Sequence, residues 1–171
     1  LNVLRKIDLD FSIKYLSAYS NVELIIKQAK EFRPETVIVV DIKKANFVKN
    51  ELMHLGIKVV EGREGLLECS KDPDVDILMN GLVGSAGMEP TFLAVKSGVD
   101  VALSNKESLV MAGDIINNEM KKTGSTIYPV DSEHSAIWQC LAGESMDDIR
   151  KIILTGSGGP FRTRDIKSFK N

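Results

Sequence analysis

Strand-length apolar runs alternate with helix-period segments along most of this sequence, and that rhythm leaves few folds open. Phe11–Ala18 alternates loosely and gives way to the turn-like Tyr19-Ser20-Asn21. Val22–Phe32 carries Leu24, Ile25, Ala29 and Phe32 at helical spacing, with Asn21 placed to cap it and Arg33-Pro34 to stop it. Thr36–Val40 is a β-branched run of the kind that fills a sheet covered on both faces. A helix within Lys43–Leu55, a strand at Ile57–Val60 and a short helix near Glu64–Ser70 follow. Strands at Asp76–Met79 and Asp100–Leu103 then flank a helix over Pro90–Ser97. A helix around Ser108–Lys121 and a strand at Thr126–Val130 close the series. Strands joined through helices demand right-handed crossovers rather than hairpins, so the fold class is α/β, a doubly wound and mostly parallel sheet.

After Asp131 the rhythm changes to a helix at His134–Leu141, a strand at Ile149–Leu154 and a glycine loop. This places a domain boundary between Gly113 and Asp131. The 171 residues suffice for one domain, or for one domain and the start of another. With 22 Lys+Arg against 24 Asp+Glu the net charge is −2, which excludes a broadly basic nucleic-acid surface. No apolar run approaches the roughly 18–20 residues of a membrane span. Cys69 and Cys140 lie outside any CxxC spacing and read as reduced thiols of an intracellular protein. Leu1–Arg5 has neither an initiator Met nor a signal-peptide pattern and reads as the interior of a longer chain.

Doubly wound sheets bind ligands beyond the C-terminal ends of their strands. Five polar segments follow predicted strands: Tyr19–Asn21, Asn80–Gly87, Ser104–Glu107, Asp131–His134 and Thr155–Gly159. In Asp131-Ser132-Glu133-His134 two carboxylates at i and i+2 share one side of an extended segment and could meet one hard divalent cation. From spacing alone the same four residues read first as a helix start, with a capping Asp131 or Ser132 and Glu133 in the first turn. Lys106, in Ser104-Asn105-Lys106-Glu107-Ser108, could bring charge to a phosphate or a polarised carbonyl, or simply pair with Glu107 on the surface. Thr155-Gly156-Ser157-Gly158-Gly159 could converge backbone N–H groups on an anion or act as a connector. Neither GK[ST] nor GxGxxG occurs.

Three of these segments, Asn105–Val110 (NKESLV), Pro129–Ile137 (PVDSEHSAI) and Leu154–Arg162 (LTGSGGPFR), resemble in this order the 1-deoxy-D-xylulose 5-phosphate reductoisomerases. Leu16–Ile25, Glu31–Asp41 and Gly81–Thr91 fit as well, so the resemblance covers essentially the whole chain. It implies a Rossmann-like NADPH-binding domain over residues 1–125 and the start of an α+β catalytic domain over 126–171. The implied reaction rearranges 1-deoxy-D-xylulose 5-phosphate and reduces it to 2-C-methyl-D-erythritol 4-phosphate, an early step of non-mevalonate isoprenoid synthesis. Its cofactors are NADPH and a divalent metal (Mn2+, Mg2+ or Co2+).

Carried onto this chain, the resemblance makes Asp131 and Glu133 metal ligands. Lys106, Ser132, Glu133 and Ser157 become substrate-binding residues, with Lys106 and Glu133 at the reacting centre. Asn105, Glu107 and the Tyr19-Ser20-Asn21 loop fall on the NADPH side, the loop against the adenosine ribose and 2′-phosphate. Ser20 stands where some members have a lysine, so the basic contact there is missing from the motif. The family's GxTGSxG loop and first strand would precede Leu1, and its third metal carboxylate and lid would follow Asn171. Strands next to that first strand would then present open edges. The partners implied are a phosphosugar substrate and a second subunit of a homodimer, with no nucleic acid or membrane. The setting is the bacterial cytoplasm, or a plastid in a eukaryote. Two other functions fit the bare fold class: a metal-independent NAD(P)-dependent dehydrogenase of a small polar substrate, and a non-catalytic nucleotide- or phosphosugar-binding module.

Overall fold

The computed structural model describes residues 1–153, 159, 162–165 and 168. Among these residues six parallel strands alternate with six α-helices: β1 Tyr15–Ala18, α1 Val22–Phe32, β2 Thr36–Val39, α2 Ile42–Leu52, β3 Lys58–Glu61 and α3 Gly62–Ser70 form one half. β4 Ile77–Asn80, α4 Met88–Lys96, β5 Asp100–Leu103, α5 Lys106–Thr123, β6 Ile127–Pro129 and α6 Ser132–Leu141 form the other. The strands make two three-stranded parallel sheets, ordered β1-β2-β3 and β4-β5-β6. All-parallel pairing through helical crossovers is what the alternation of periods predicts.

Each half has its own core. Val37 and Val39 of β2 pack with Ile25, Ala29, Val48 and Leu52 from α1 and α2. Val101 and Leu103 of β5 pack with Ala94, Val95 and Ile116 from α4 and α5. All four residues of β2 are buried, as expected for a central strand with helices on both faces. Among the described residues β1, β3, β4 and β6 pair on one side only, and Ile77 and Met79 of β4 are half exposed. Near the starts of β1 and β4 the halves are tied together. Lys14 Nζ lies 2.7 Å and Tyr15 Oη 2.5 Å from the Asp72 carboxylate, which sits in the connection from α3 to β4.

Local sequence signals set most boundaries. Asn21 caps α1 by accepting from the Leu24 N–H, and Asp41 caps α2 through the Lys43 N–H. Arg33, ahead of Pro34, ends α1 in the left-handed region at φ 51°. α5 begins two residues earlier than its spacing suggests and is broken at Ala112, where φ reaches −141°. The strand expected over 149–154 is not formed across 149–153, and Leu154 lies outside the described residues. Ile152 and Ile153 are exposed there, and an apolar run without a neighbouring strand to pair with has nothing to hold it extended. Both cysteines are free thiols. Among the described residues no helix is long and apolar enough to cross a membrane.

Candidate active site

The C-terminal ends of β1, β4, β5 and β6 carry four of the five polar segments that the sequence singles out, and residues 155–158 of the fifth lie outside the described residues. The 81–87 loop after β4 is shaped from both sides by buried amides. Asn80 donates through Nδ2 to Gly87 O (2.8 Å) and Thr91 Oγ1 (2.7 Å) and accepts from the Leu82 N–H. Asn105, only 1% exposed, donates to Leu82 O (2.7 Å) and Gly84 O (2.9 Å). Its Oδ1 accepts from the Ser108 N–H at 3.0 Å and from the Ser108 hydroxyl, capping α5. Gly87 makes room for this amide: a Cβ there would stand 2.6 Å from Asn105 Cγ. Asn105 was expected on the cofactor side of the site, and its side chain is committed to holding the loop and the helix start. Asn80 opens one of the segments named from sequence and Ser108 closes another, but the sequence assigns no role to either of them or to Thr91. Their role appears only when β4, α4 and α5 are brought together.

Lys106 opens α5 and reaches across to α6, where its Nζ donates to Glu133 Oε2 at 3.1 Å. The Ser132 hydroxyl donates to the same carboxylate oxygen at 3.0 Å. Asp131 is the N-cap of α6: its Oδ1 accepts from the His134 N–H at 3.0 Å and lies 2.8 Å from His134 Nδ1. The two readings of this motif therefore combine, since Asp131 caps the helix while Glu133 turns to the lysine. Four of the predicted site residues, Lys106, Asp131, Ser132 and Glu133, come together in one cluster. Glu107 lies beside it in the first turn of α5. An apolar groove of about 360 Å³, lined by Leu103, Ile127 and Trp138 among others, borders Asp131 and His134.

The charges of the cluster reinforce one another. Glu133's own amide, then Lys106 and Ser132, hold its carboxyl below the ordinary value. Burial pushes Asp131 up, but the two His134 contacts and the nearby positive charges outweigh it and leave this carboxyl lowered. Lys106 is raised, first by its hydrogen bond to Glu133 and further by Asp131 and Glu107. A cationic side chain thus already sits in the field of both acids. Two ionised carboxylates around one positive centre suit a hard divalent cation, completed by other oxygens. Among the described residues no third acid, His or Cys joins them as a candidate ligand group.

Tyr19-Ser20-Asn21 belongs to the other half, and no hydrogen bond or ion pair joins it to the acidic cluster among the described residues. Tyr19 is well exposed. Lys44, in the first turn of α2, donates from Nζ to Ser20 O at 3.0 Å. This lysine was not foreseen, although it follows a strand end, Val40-Asp41, and so met the same criterion as the five chosen segments. Ser157 lies outside the described residues.

Two family models match the chain. The model of 1-deoxy-D-xylulose 5-phosphate reductoisomerase covers residues 1–113 and that of the reductoisomerase C-terminal domain covers 127–171. A reductoisomerase of Chloroherpeton thalassium is 45% identical over 99% of this chain and 44% of its own length. One from Thermodesulfovibrio yellowstonii is 42% identical over the whole chain and again 44% of its own length. The chain therefore spans less than half the length of these curated relatives. The reductoisomerase of Zymomonas mobilis in complex with NADPH superposes with a TM-score of 0.83 at 35% identity, covering 92% of this chain and 42% of that one. A reductoisomerase in complex with NADPH, fosmidomycin and magnesium gives 0.84 at 34% identity, over 97% of this chain and 43% of that one. With matched segments reaching from its first residue to its last, the chain belongs to the 1-deoxy-D-xylulose 5-phosphate reductoisomerase family.

Proposed function

We propose that this chain carries the NADPH-binding part and the opening of the metal-binding part of an enzyme that converts 1-deoxy-D-xylulose 5-phosphate to 2-C-methyl-D-erythritol 4-phosphate. The observation that carries the proposal is the single cluster in which Lys106, Ser132, Glu133 and Asp131 meet. Asp131 and Glu133 would hold the divalent metal. Lys106 and Ser132, already on the Glu133 carboxylate, would turn to the substrate's oxygens, and Ser157 to its phosphate end. Glu107 would face the cofactor, Asn105 would act on that side only by fixing the 81–87 loop and the start of α5, and the Tyr19–Asn21 loop would take the adenosine end.

When bound, the metal supplies Lewis-acid polarisation of the substrate's carbonyl, and NADPH supplies the hydride. The residues of this chain orient and neutralise. Glu133 stays ionised near neutral pH because Lys106, Ser132 and its own amide stabilise the carboxylate. Lys106 stays protonated beside it and can place positive charge on a substrate oxygen. His134, on one oxygen of Asp131, fixes that carboxylate's orientation.

The division into a cofactor part over 1–125 and a catalytic part from 126 is supported by the two family models, which end at 113 and begin at 127. β6 lies beyond that boundary yet pairs with β5, so the sheet itself runs across it. A homodimer, and a setting in the bacterial cytoplasm or, in a eukaryote, in a plastid, belong to the same proposal through the resemblance alone.

The test is NADPH oxidation by the full-length protein with 1-deoxy-D-xylulose 5-phosphate and Mn2+. Asp131→Asn is expected to lower turnover by orders of magnitude with an unchanged far-UV circular dichroism spectrum. Full activity after loss of both Asp131 and Glu133 would instead favour a metal-independent dehydrogenase. No turnover by the unaltered full-length protein would favour a binding module.

A further inference from the structure

The Tyr19–Asn21 loop has no cation of its own, yet one stands directly over it. Lys44 Nζ donates to Ser20 O at 3.0 Å, the same carbonyl that accepts from the Val22 N–H at the start of α1. No carboxylate pairs with this ammonium among the described residues, whereas Lys14, Lys30, Lys71, Lys106 and Lys122 all have such partners. A carbonyl takes up one of its three protons and neutralises no charge, so the ammonium remains available to an anion. Around it, Asn21 uses its side-chain oxygen to cap α1 and leaves its amide nitrogen as a donor. The position is fixed from below, because the Val40 N–H donates to Ala18 O and the Asp41 N–H to Tyr19 O, binding the end of β2 to the end of β1.

In doubly wound sheets the second ribose of a dinucleotide lies at such a strand end. An acid there accepts from a free 2′-hydroxyl, and a nearby cation accommodates a 2′-phosphate. Both kinds of group are present: Asp41, whose Oδ1 is committed to the Lys43 N–H, and Lys44, whose charge is unpaired. Lys43 precedes Lys44 in the same turn, but among the described residues its side chain makes no hydrogen bond or ion pair to the loop. We propose that Lys44, held on the Ser20 carbonyl, is the residue that selects a 2′-phosphorylated adenosine cofactor over its 2′-hydroxyl counterpart. It would supply from α2 the positive charge that the loop itself lacks. This rests on the reading of Tyr19–Asn21 as a cofactor-binding loop.

The experiment is an isothermal titration calorimetry measurement of the full-length protein with adenosine 2′,5′-bisphosphate and, separately, with 5′-AMP. The unaltered protein is expected to prefer the bisphosphate. Lys44→Ala should reduce that preference roughly tenfold, the size of a lost charge-assisted contact, while affinity for 5′-AMP changes little. Lys44→Arg should retain the preference, and Lys43→Ala should leave it within about twofold, as expected of a screened neighbour. An unchanged preference in Lys44→Ala, or an equal loss in Lys43→Ala, overturns the assignment of Lys44. Equal binding of both nucleotides by the unaltered protein overturns it too, while leaving the loop as a nucleotide site. Binding of neither overturns the cofactor-loop reading and this inference with it.

Discussion

Asn105 shows how one side chain organises a site without facing it. Its amide joins two loop carbonyls to the first turn of α5, and Lys106 and Glu107 follow immediately, so its placement fixes theirs. Asn105→Ala would leave the Leu82 and Gly84 carbonyls and the Ser108 N–H without these partners, at a cost of roughly 2–3 kcal/mol. Gly87→Ala would drive a methyl group into the same amide and cost about 1–3 kcal/mol. Urea denaturation should show both losses, and the double variant should fall short of their sum because the two residues are in contact. Additive effects would argue that they act separately. From sequence, Asn105 was legible as a polar residue at a strand end. Its inward orientation was not, because that depends on Leu82, Gly84 and Gly87, which are distant along the chain.

Among the elements, the tie between the two halves has a marked pH signature. Lys14, then Tyr15 and the Asp74 N–H, hold Asp72 down to about 2. Asp72, together with burial, pushes the Tyr15 hydroxyl up to about 12. A free aspartate titrates near ~3.9 and a free tyrosine near ~10. Stability from the ionised Asp72 is therefore complete above about pH 4 and is lost as pH falls towards 2. Stability from the neutral Tyr15 is complete below about pH 10 and is lost as pH rises towards 12. Urea midpoints measured against pH should fall at both extremes. Asp72→Asn should flatten the acid limb and Tyr15→Phe the alkaline one; curves running parallel to the unaltered chain's would contradict the tie. The elements themselves were largely legible, because β-branched runs, helical spacing and the cap at Asn21 are local signals. This tie was not legible, since it pairs residues 57 positions apart. The run after 148 was misread as a strand because strand formation needs a partner that an apolar run alone does not reveal.

On the scale of the molecule, the parallel α/β architecture followed from the alternation of periods, and the acidic cluster followed from strand ends that the topology gathers together. The division into two three-stranded sheets could be anticipated only through the family resemblance. Among the described residues it leaves β1, β3, β4 and β6 each with one unpaired edge, and the chain matches only 44% of the length of a curated relative. The isolated chain is therefore expected to show no NADPH oxidation with substrate and Mn2+, and appreciable turnover by it would contradict this account. The central claim is that Asp131 and Glu133 share one divalent cation, and a crystal of the protein soaked in Mn2+ tests it most directly. The prediction is an anomalous peak contacting both carboxylates, with Lys106 displaced from Glu133. Side chains that keep the Lys106–Glu133 pair, with no anomalous density beside Asp131, would contradict it.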